Sequence, residues 1–279
     1  MRAVSIENVI WDERSNAGEA WGAFYRADMV TWFRPEYATC AYLDRFAQSE
    51  WIQRLLYHAR VKPDEKTRVL EAGCGIGLYS LALARLSIPV QAFDYNAEAL
   101  ARAKNLQAQF GENCVSRTAQ FYGDNLLNIQ QPDNTFDLVF NQAVLEYFTD
   151  PRERARALQE MARVTKPGGC VAVIVQHTSH RLRPLWERWG WEGYTRQPPV
   201  IPFTPRVLAT ELGAAGLKEI IVDGIEPWKV LFFYPRWHER WRWTHESVYL
   251  FGRAARFLPL PRSLRAAVAL QILGVGWKI

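Results

Sequence analysis

The chain has 279 residues, 49% of them hydrophobic and 23% charged, with 34 Lys and Arg against 29 Asp and Glu for a formal net charge of +5. That length and balance exclude a disordered chain, a collagen-like chain and a peptide-sized module, and leave enough residues for a sizeable core in one large domain or two small ones. Twelve tryptophans are present and none lies between Trp51 and Trp186, so two kinds of surface share one chain.

Residues 1–60 read as an N-terminal helical cap. The stretch from Trp11 to Trp51 is rich in aromatics, among them Trp21, Phe24, Tyr25, Trp32 and Tyr42. These either close over a ligand, with Tyr25 the preferred contact, or pack helices onto a core. From Arg68 the chain alternates short β-rich runs with amphipathic stretches. Arg68 to Ala72 predicts a first strand ending in glycines, and Leu78 to Leu86 a helix. Pro89 to Phe93 predicts a second strand, after which Asn96 caps a helix with apolar positions at Leu100, Ala103, Leu106 and Phe110 and a terminating Gly111. Val115 to Phe121 and Phe136 to Phe140 predict the third and fourth strands, and Arg152 to Arg163 a further helix. Lys166-Pro167-Gly168-Gly169 predicts a turn into Cys170 to Gln176, an uncharged β run that reads as buried on both faces. Strands and helices alternating at this spacing imply an α/β, doubly wound, mostly parallel sheet, with ligands at the carboxyl edge of its strands.

The four cysteines, Cys40, Cys74, Cys114 and Cys170, never approach C-x-x-C spacing, which predicts no zinc site, no redox motif and no disulfide framework. Met1 to Glu7 meets an acid without the apolar run of a secretory signal. The longest charge-free apolar stretch, Ala266 to Trp277, has 12 residues, below the ~20 that cross a bilayer as a helix. The expectation is a soluble, reduced, cytoplasmic protein with no transmembrane segment and no metal.

The strongest motif is Glu71-Ala72-Gly73-Cys74-Gly75-Ile76-Gly77, at the handover from the first strand to the first helix. Glycines there permit a tight turn and a close ligand approach, and amides at the helix start offer donors. A dinucleotide fingerprint would place its third glycine at position 78, which is Leu78, so a pyrophosphate is disfavoured. Asp94, at the end of the second strand, can accept hydrogen bonds from both ribose hydroxyls and would repel a 2′-phosphate. A nucleoside without that phosphate is implied.

These residues, together with Gly123-Asp124-Asn125, Phe136-Asp137-Leu138-Val139-Phe140-Asn141 and Val164-Thr165-Lys166-Pro167-Gly168-Gly169, resemble the class I S-adenosylmethionine-dependent methyltransferases. Within that class the resemblance is to the small-molecule branch that includes the ubiquinone/menaquinone-type enzymes. It covers roughly Val61 to Gln176 and implies a seven-stranded Rossmann-like sheet around a core at residues 61–178. It also implies that Gly73, Gly75 and Gly77, with Glu71 and Cys74 in the same turn, pass under the methionine and ribose of S-adenosylmethionine. By the same resemblance Asp94, followed by Tyr95, takes the ribose, Asp124 with the Asn125 backbone faces adenine, and the Asn141 carbonyl faces the sulfonium.

Methyl transfer from a sulfonium is an in-line displacement that mainly needs the nucleophile held opposite sulfur. A hydroxyl acceptor gains from a base, and the candidates are His177 and His180 after the fifth strand and Glu146 and Tyr147 after the fourth. His177 is favoured because it follows directly from a buried strand; the bland alternative is a solvated loop histidine. The quinone-type enzymes often carry histidine where Tyr147 stands, and Tyr147 then serves either catalysis or the pocket wall.

Two insertions are expected. Residues 179–205 carry Trp186, Trp189 and Trp191 with Arg181, Arg183 and Arg188, beside the acceptor pocket of this fold. Residues 206–279 hold the last two strands, Leu217 to Val222 and Leu270 to Trp277, separated by a basic insertion at 228–265. That insertion has eight Lys and Arg against two Glu, an excess of six, so the rest of the chain carries −1. Trp237, Trp241, Thr244, Val248, Phe251, Ala255 and Leu258 recur at alternating spacings of four and three, one face of a helix beginning after Pro235. That face fits the core or a twin subunit in a homo-oligomer, or an anionic membrane surface or lipid-linked acceptor in a peripheral protein. The leading expectation is methyl transfer to O, N or C of a small or lipid-associated molecule, releasing S-adenosylhomocysteine. The alternatives are a nucleic-acid (RNA) methyltransferase, disfavoured by the absence of proline after Asn141, and a catalytically silent cofactor-binding partner subunit.

Overall fold

The computed structural model describes residues 38–64, 66–115, 119–177, 180, 184, 201–228 and 260–279. Most of the expected cap, including Tyr25, the aromatic cluster at 186–191 and the periodic stretch at 237–258 lie outside the described residues.

Two helices, α1 (Cys40–Ala47) and α2 (Glu50–His58), precede β1 (Val69–Ala72). Then follow α3 (Leu78–Arg85), β2 (Val90–Asp94), α4 (Ala97–Phe110), β3 (Gln120–Gly123) and β4 (Phe136–Gln142). A 3₁₀ turn at Leu145–Tyr147 leads to α5 (Pro151–Val164) and β5 (Thr165–Gln176), and the chain ends with α6 (Pro205–Ala214), β6 (Lys218–Ile225), α7 (Arg262–Val268) and β7 (Gln271–Trp277). The strands form one seven-stranded sheet in the order β3-β2-β1-β4-β5-β7-β6. The first five are mutually parallel, and β7 runs antiparallel to both β5 and β6. The winding reverses between β1 and β4, and the crevice at a switch point of this kind is where such sheets bind ligands.

Successive strand residues feed opposite layers. Val69, Leu138, Phe140 and Ala172 pack with α1 to α4 on one side, while Leu70, Val139, Val171 and Val173 pack with α5 and α6 on the other. Two-sided burial is why β5 reads as a continuous apolar run. Helix boundaries follow local chemistry. The Asn96 side chain accepts the Ala99 amide at 3.0 Å and Gly111 ends α4 at φ +70°. Asp150 caps α5 ahead of Pro151, and Thr204 caps α6 ahead of Pro205.

Several expectations are corrected. The third strand starts at Gln120, where its register with Gln91 begins, because the Cys114 and Val115 amides are taken by the Gly111 carbonyl in a turn. Lys166 to Gly169 belongs to β5, with Gly168 at φ +78° beside a register shift between Phe136 and Leu138. Cys40 and Cys114 form a disulfide, their Cα atoms 5.2 Å apart and 74 residues apart in sequence, because α1 docks beside the turn that follows α4. Arg85 braces this contact, bonding Asp44 of α1 and the Cys114 carbonyl together. Arg265, the last basic residue of the 228–265 stretch, lies in α7 and pairs with the buried Asp223.

Candidate functional site

At the carboxyl edge of β1 the chain turns through three glycines with left-handed backbone, Gly73 (φ +81°), Gly75 (φ +53°) and Gly77 (φ +75°). A Cβ on Gly73 would stand 2.6 Å from Val144 Cγ2, and one on Gly77 would stand 2.5 Å from the Phe121 ring. The turn thus requires glycine for conformation and for space. Its amides bridge to the neighbouring strand: Gly73 and Cys74 donate to the Phe93 carbonyl at 2.8 and 2.9 Å.

Asp94, nearly buried at the end of β2, accepts the Gly75 amide on Oδ2 and the Asn96 amide on Oδ1, both at 2.9 Å. Burial raises its carboxyl above the ordinary value, against the lowering effect of these amides. The Tyr95 amide also donates to this carboxylate, which still has lone-pair capacity for a further donor. Tyr95 beside it is exposed, and Cys74 is buried, its thiol pushed well up by desolvation and by Glu71 and Asp94. Glu71 is buried under the turn and accepts both the amide and the hydroxyl of Ser80, tying β1 to α3; burial holds its carboxyl up at about 8. Past β3, the Asp124 carboxylate accepts the amides of Asn125 and Gln130, at 2.8 and 3.0 Å.

The β4 side closes the crevice. Asn141 is fully buried within β4, its Nδ2 turned to Met161 Sδ, so the strand runs two residues beyond the Phe140 end expected from sequence. Ala143 then adopts φ +53° and carries the chain to Val144, against Gly73, and to Glu146 and Tyr147 in the 3₁₀ turn. Glu146 is fully buried and Tyr147 partly so. After β5, His177 is 3% exposed, its Nδ1 3.1 Å from the Ala269 carbonyl and its ring 6.2 Å from that of His180. The alternative of a solvated loop histidine is overturned, and burial lowers the pKa of this imidazole.

The structure thus gathers Glu71, Gly73, Cys74, Gly75, Gly77, Asp94, Tyr95, Asp124, Asn125, Asn141, Tyr147 and His177 along one sheet edge. The chemistry fits a nucleoside cofactor: a left-handed glycine turn that tolerates no side chain at Gly73 or Gly77, and a nearly buried carboxylate at the end of the next strand.

The family described as "Methyltransferase domain" matches residues 70–173. The chain carries a class I S-adenosylmethionine-dependent methyltransferase domain. A phosphatidylethanolamine N-methyltransferase of Cereibacter sphaeroides is 36% identical over 118 residues, 42% of this chain and 54% of the relative. A demethylmenaquinone methyltransferase of Paenarthrobacter aurescens is 30% identical over 134 residues, 48% of this chain and 47% of the relative. The chain spans about half the length of the curated relatives it matches. In fold it is similar to a solved S-adenosylmethionine-dependent methyltransferase of Thermotoga maritima, with a TM-score of 0.56 at 18% identity over 93% of this chain and 99% of that one. S-adenosylmethionine is the cofactor of this domain.

Two features of the described structure escape sequence reasoning. Tyr79 on α3 joins Phe46, Trp51 and Phe140 in an aromatic cluster, ring centroids 5.2 to 6.4 Å apart, and Trp51 Nε1 donates to Glu226 at 2.8 Å. Asp223 of β6 is fully buried and joins α2 to α7 through Arg54, His58 and Arg265. The aromatic run from Trp11 to Trp51 signals the first; the second lies one residue beyond an apolar strand and carries no sequence signal.

Proposed function

We propose that this protein is a methyltransferase that transfers the methyl group of S-adenosylmethionine to O, N or C of a small or lipid-associated acceptor. The observation that carries the reading is the coupling of the glycine turn to Asp94 at the β1/β4 switch point. Bound there, the cofactor supplies an electrophilic methyl on a sulfonium.

Gly73, Cys74, Gly75 and Gly77 pass under its methionine and ribose, with Glu71 holding the turn through Ser80. Asp94 accepts the ribose hydroxyls, with Tyr95 over the same face. Asp124 and the Asn125 backbone face the adenine, and Asn141 ends the strand beside the reacting centre. The protein's main contribution is position, since a displacement in line with the C–S bond gains most from a fixed near-attack geometry. His177, gripped by the Ala269 and Leu270 carbonyls, and Tyr147 line the acceptor side, and Tyr25 from the N-terminal segment contributes to the pocket. A lipid-associated acceptor is favoured by the activities that the two relatives are named for and by the aromatic, cationic composition of 228–265. That segment meets an anionic lipid surface reversibly. Among the described residues no helix is long and apolar enough to cross a membrane.

The test is calorimetric titration with S-adenosylmethionine, followed by transfer of its labelled methyl group to vesicles of phosphatidylethanolamine and to a demethylated quinol. Binding with label transfer to either probe supports the reading; no binding to the folded protein removes it.

A further inference from the structure

We propose that Glu146 is the proton acceptor on the methyl-acceptor side of the crevice, taking the O–H or N–H proton of the acceptor on Oε2 as the methyl group is transferred. The inference rests on the methyltransferase reading above and adds a residue to it.

Glu146 sits in the 3₁₀ turn between the ends of β4 and β5 and is fully buried. One carboxyl oxygen, Oε1, accepts the Gln176 amide at 3.3 Å. The other, Oε2, is buried with no hydrogen-bond partner among the described residues. A carboxylate oxygen left in that state costs stability and has free capacity to accept a hydrogen bond or a proton from a bound molecule. The backbone is bent to put it there: Ala143 carries a left-handed φ of +53° at the end of β4, a conformation that is strained for a residue with a Cβ. Val144, two residues before Glu146, packs against Gly73 of the cofactor turn. The Ile201 amide caps the Glu146 carbonyl at 2.8 Å and fixes the turn from the other side. His177, by contrast, is anchored to the start of β7 through Ala269 and Leu270, on the far side of β5 from the glycine turn.

Chemistry agrees with placement. Burial raises the Glu146 carboxyl to about 7, so it can both take and release a proton near neutrality. Desolvation dominates that shift, and only backbone amides oppose it. The charged and titratable groups on the elements around it are His177 and His180 after β5, the Arg154–Glu211 pair under the Phe148 and Thr149 carbonyls, and Glu71 and Asp94 across the glycine turn. In the transfer, a lone pair on the acceptor oxygen or nitrogen forms the new bond to carbon and the C–S pair departs on sulfur. The acceptor's proton moves to Glu146 Oε2, its former bonding pair remaining on the acceptor atom, and the carboxylic acid so formed later loses that proton to water.

A carboxylate in the proposed position distinguishes a sulfonium from a neutral thioether, because only the sulfonium is charged. The experiment measures the affinities of S-adenosylmethionine and S-adenosylhomocysteine by calorimetry from about pH 5.5 to about pH 8.5. In the unmodified protein the ratio of the two affinities is expected to rise several-fold, up to about tenfold, across a step near pH 7. In Glu146→Gln the step near 7 disappears while both ligands still bind, leaving a component from Glu71 whose transition lies at about 8. Glu146→Asp restores the step, and a melting temperature of Glu146→Gln at or above that of the parent shows that folding is intact. The same pH profile in the parent and Glu146→Gln overturns the inference and leaves the methyltransferase reading standing. Failure of the parent to bind either ligand overturns both.

Discussion

Asp94 Oδ2 accepts the Gly75 amide at 2.9 Å, so the carboxylate that ends β2 also fixes the turn that follows β1. One side chain thus has two tasks, shaping the cradle and accepting from ribose. The two separate by mutation. Asp94→Ala removes both and is expected to weaken S-adenosylmethionine binding at least about tenfold, the scale of one charge-assisted bidentate contact. Asp94→Asn keeps an oxygen for the Gly75 amide but loses the acceptor of the Asn96 amide, and is expected to bind with intermediate affinity at a somewhat lower melting temperature. Calorimetry and thermal melts on the two variants check this.

Gly77 tests the cradle by volume. Its φ of +75°, and a Phe121 ring only 2.5 Å from where a Cβ would stand, leave Gly77→Ala no relaxed position. The variant is expected to lose about 1 to 3 kcal/mol of stability from backbone strain and to bind cofactor weakly, because the turn must move away from β3. Urea unfolding gives the first quantity and calorimetry the second. Full affinity in Gly77→Ala would show that the turn does not contact the cofactor.

The features that local chemistry encodes were legible in the sequence. Asn96 and Gly111 mark the ends of α4, the alternation of runs marks the sheet, and Gly73, Gly75, Gly77 and Asp94 fall where a strand must hand over to a helix. What depends on docking between distant segments was not. The Cys40–Cys114 bond joins positions 74 residues apart, and Asp223 meets Arg54 from 169 residues away. Spacing rules see neither, because both follow from where α1 and α2 settle on the finished sheet. Glu146 was visible as a candidate base only as one of four, since a sequence shows a carboxylate but not that one of its oxygens is buried without a donor.

The buried carboxyl of Glu71 gives stability a pH dependence of a definite sign. Its value rises from an ordinary 4.5 to about 8 in the folded protein, chiefly through burial. The folded chain therefore holds a proton that the unfolded chain releases within this window. Its contribution is fully present below about pH 4.5 and is lost as pH rises through about 8. Glu146, raised to about 7, acts in the same direction. The melting temperature is expected to fall from pH 5 toward pH 8, on the order of several degrees, and the fall should be shallower in Glu71→Gln. A melting temperature that climbs over that range would contradict the assignment.

The disulfide closes a loop that contains the glycine turn and Asp94. With Cys40 and Cys114 separated by 74 residues, loop-closure entropy assigns the bond roughly 4 kcal/mol. Reduction, or Cys40→Ser, is expected to lower the urea midpoint and to steepen the unfolding slope, because the uncrosslinked unfolded chain exposes more surface. Identical midpoints with and without reductant would show that the pair adds no constraint to the unfolded chain.

Asp223 offers the sharpest test of how the flanks are held. It is fully buried on β6 and accepts Arg54 at 2.9 Å, His58 at 2.8 Å, both Arg265 Nε and a terminal Arg265 nitrogen at 2.9 and 2.6 Å, and the Gly224 amide at 2.8 Å. Desolvation alone would raise its carboxyl; the donors and cations outweigh it and hold the group at about 2. Asp223→Ala leaves Arg54 with Glu50 and Arg265 with the Leu260 carbonyl but removes the carboxylate that His58 and both guanidinium groups share, and removing one partner from such a cluster costs about 3 kcal/mol. Asp223→Asn retains the oxygen acceptor for one of them and should cost less. Because the folded value lies below the ordinary 3.8, the stabilisation is present above that pH and is lost as pH falls toward 2. Acid unfolding of Asp223→Asn is therefore expected to show a shallower dependence on pH below 4 than that of the parent. Since Asp223 holds α2 and α7 to β6, the same variant should also increase proteolytic cleavage within those two helices, and an unchanged cleavage pattern with reduced stability would place the loss in the sheet rather than at its flanks.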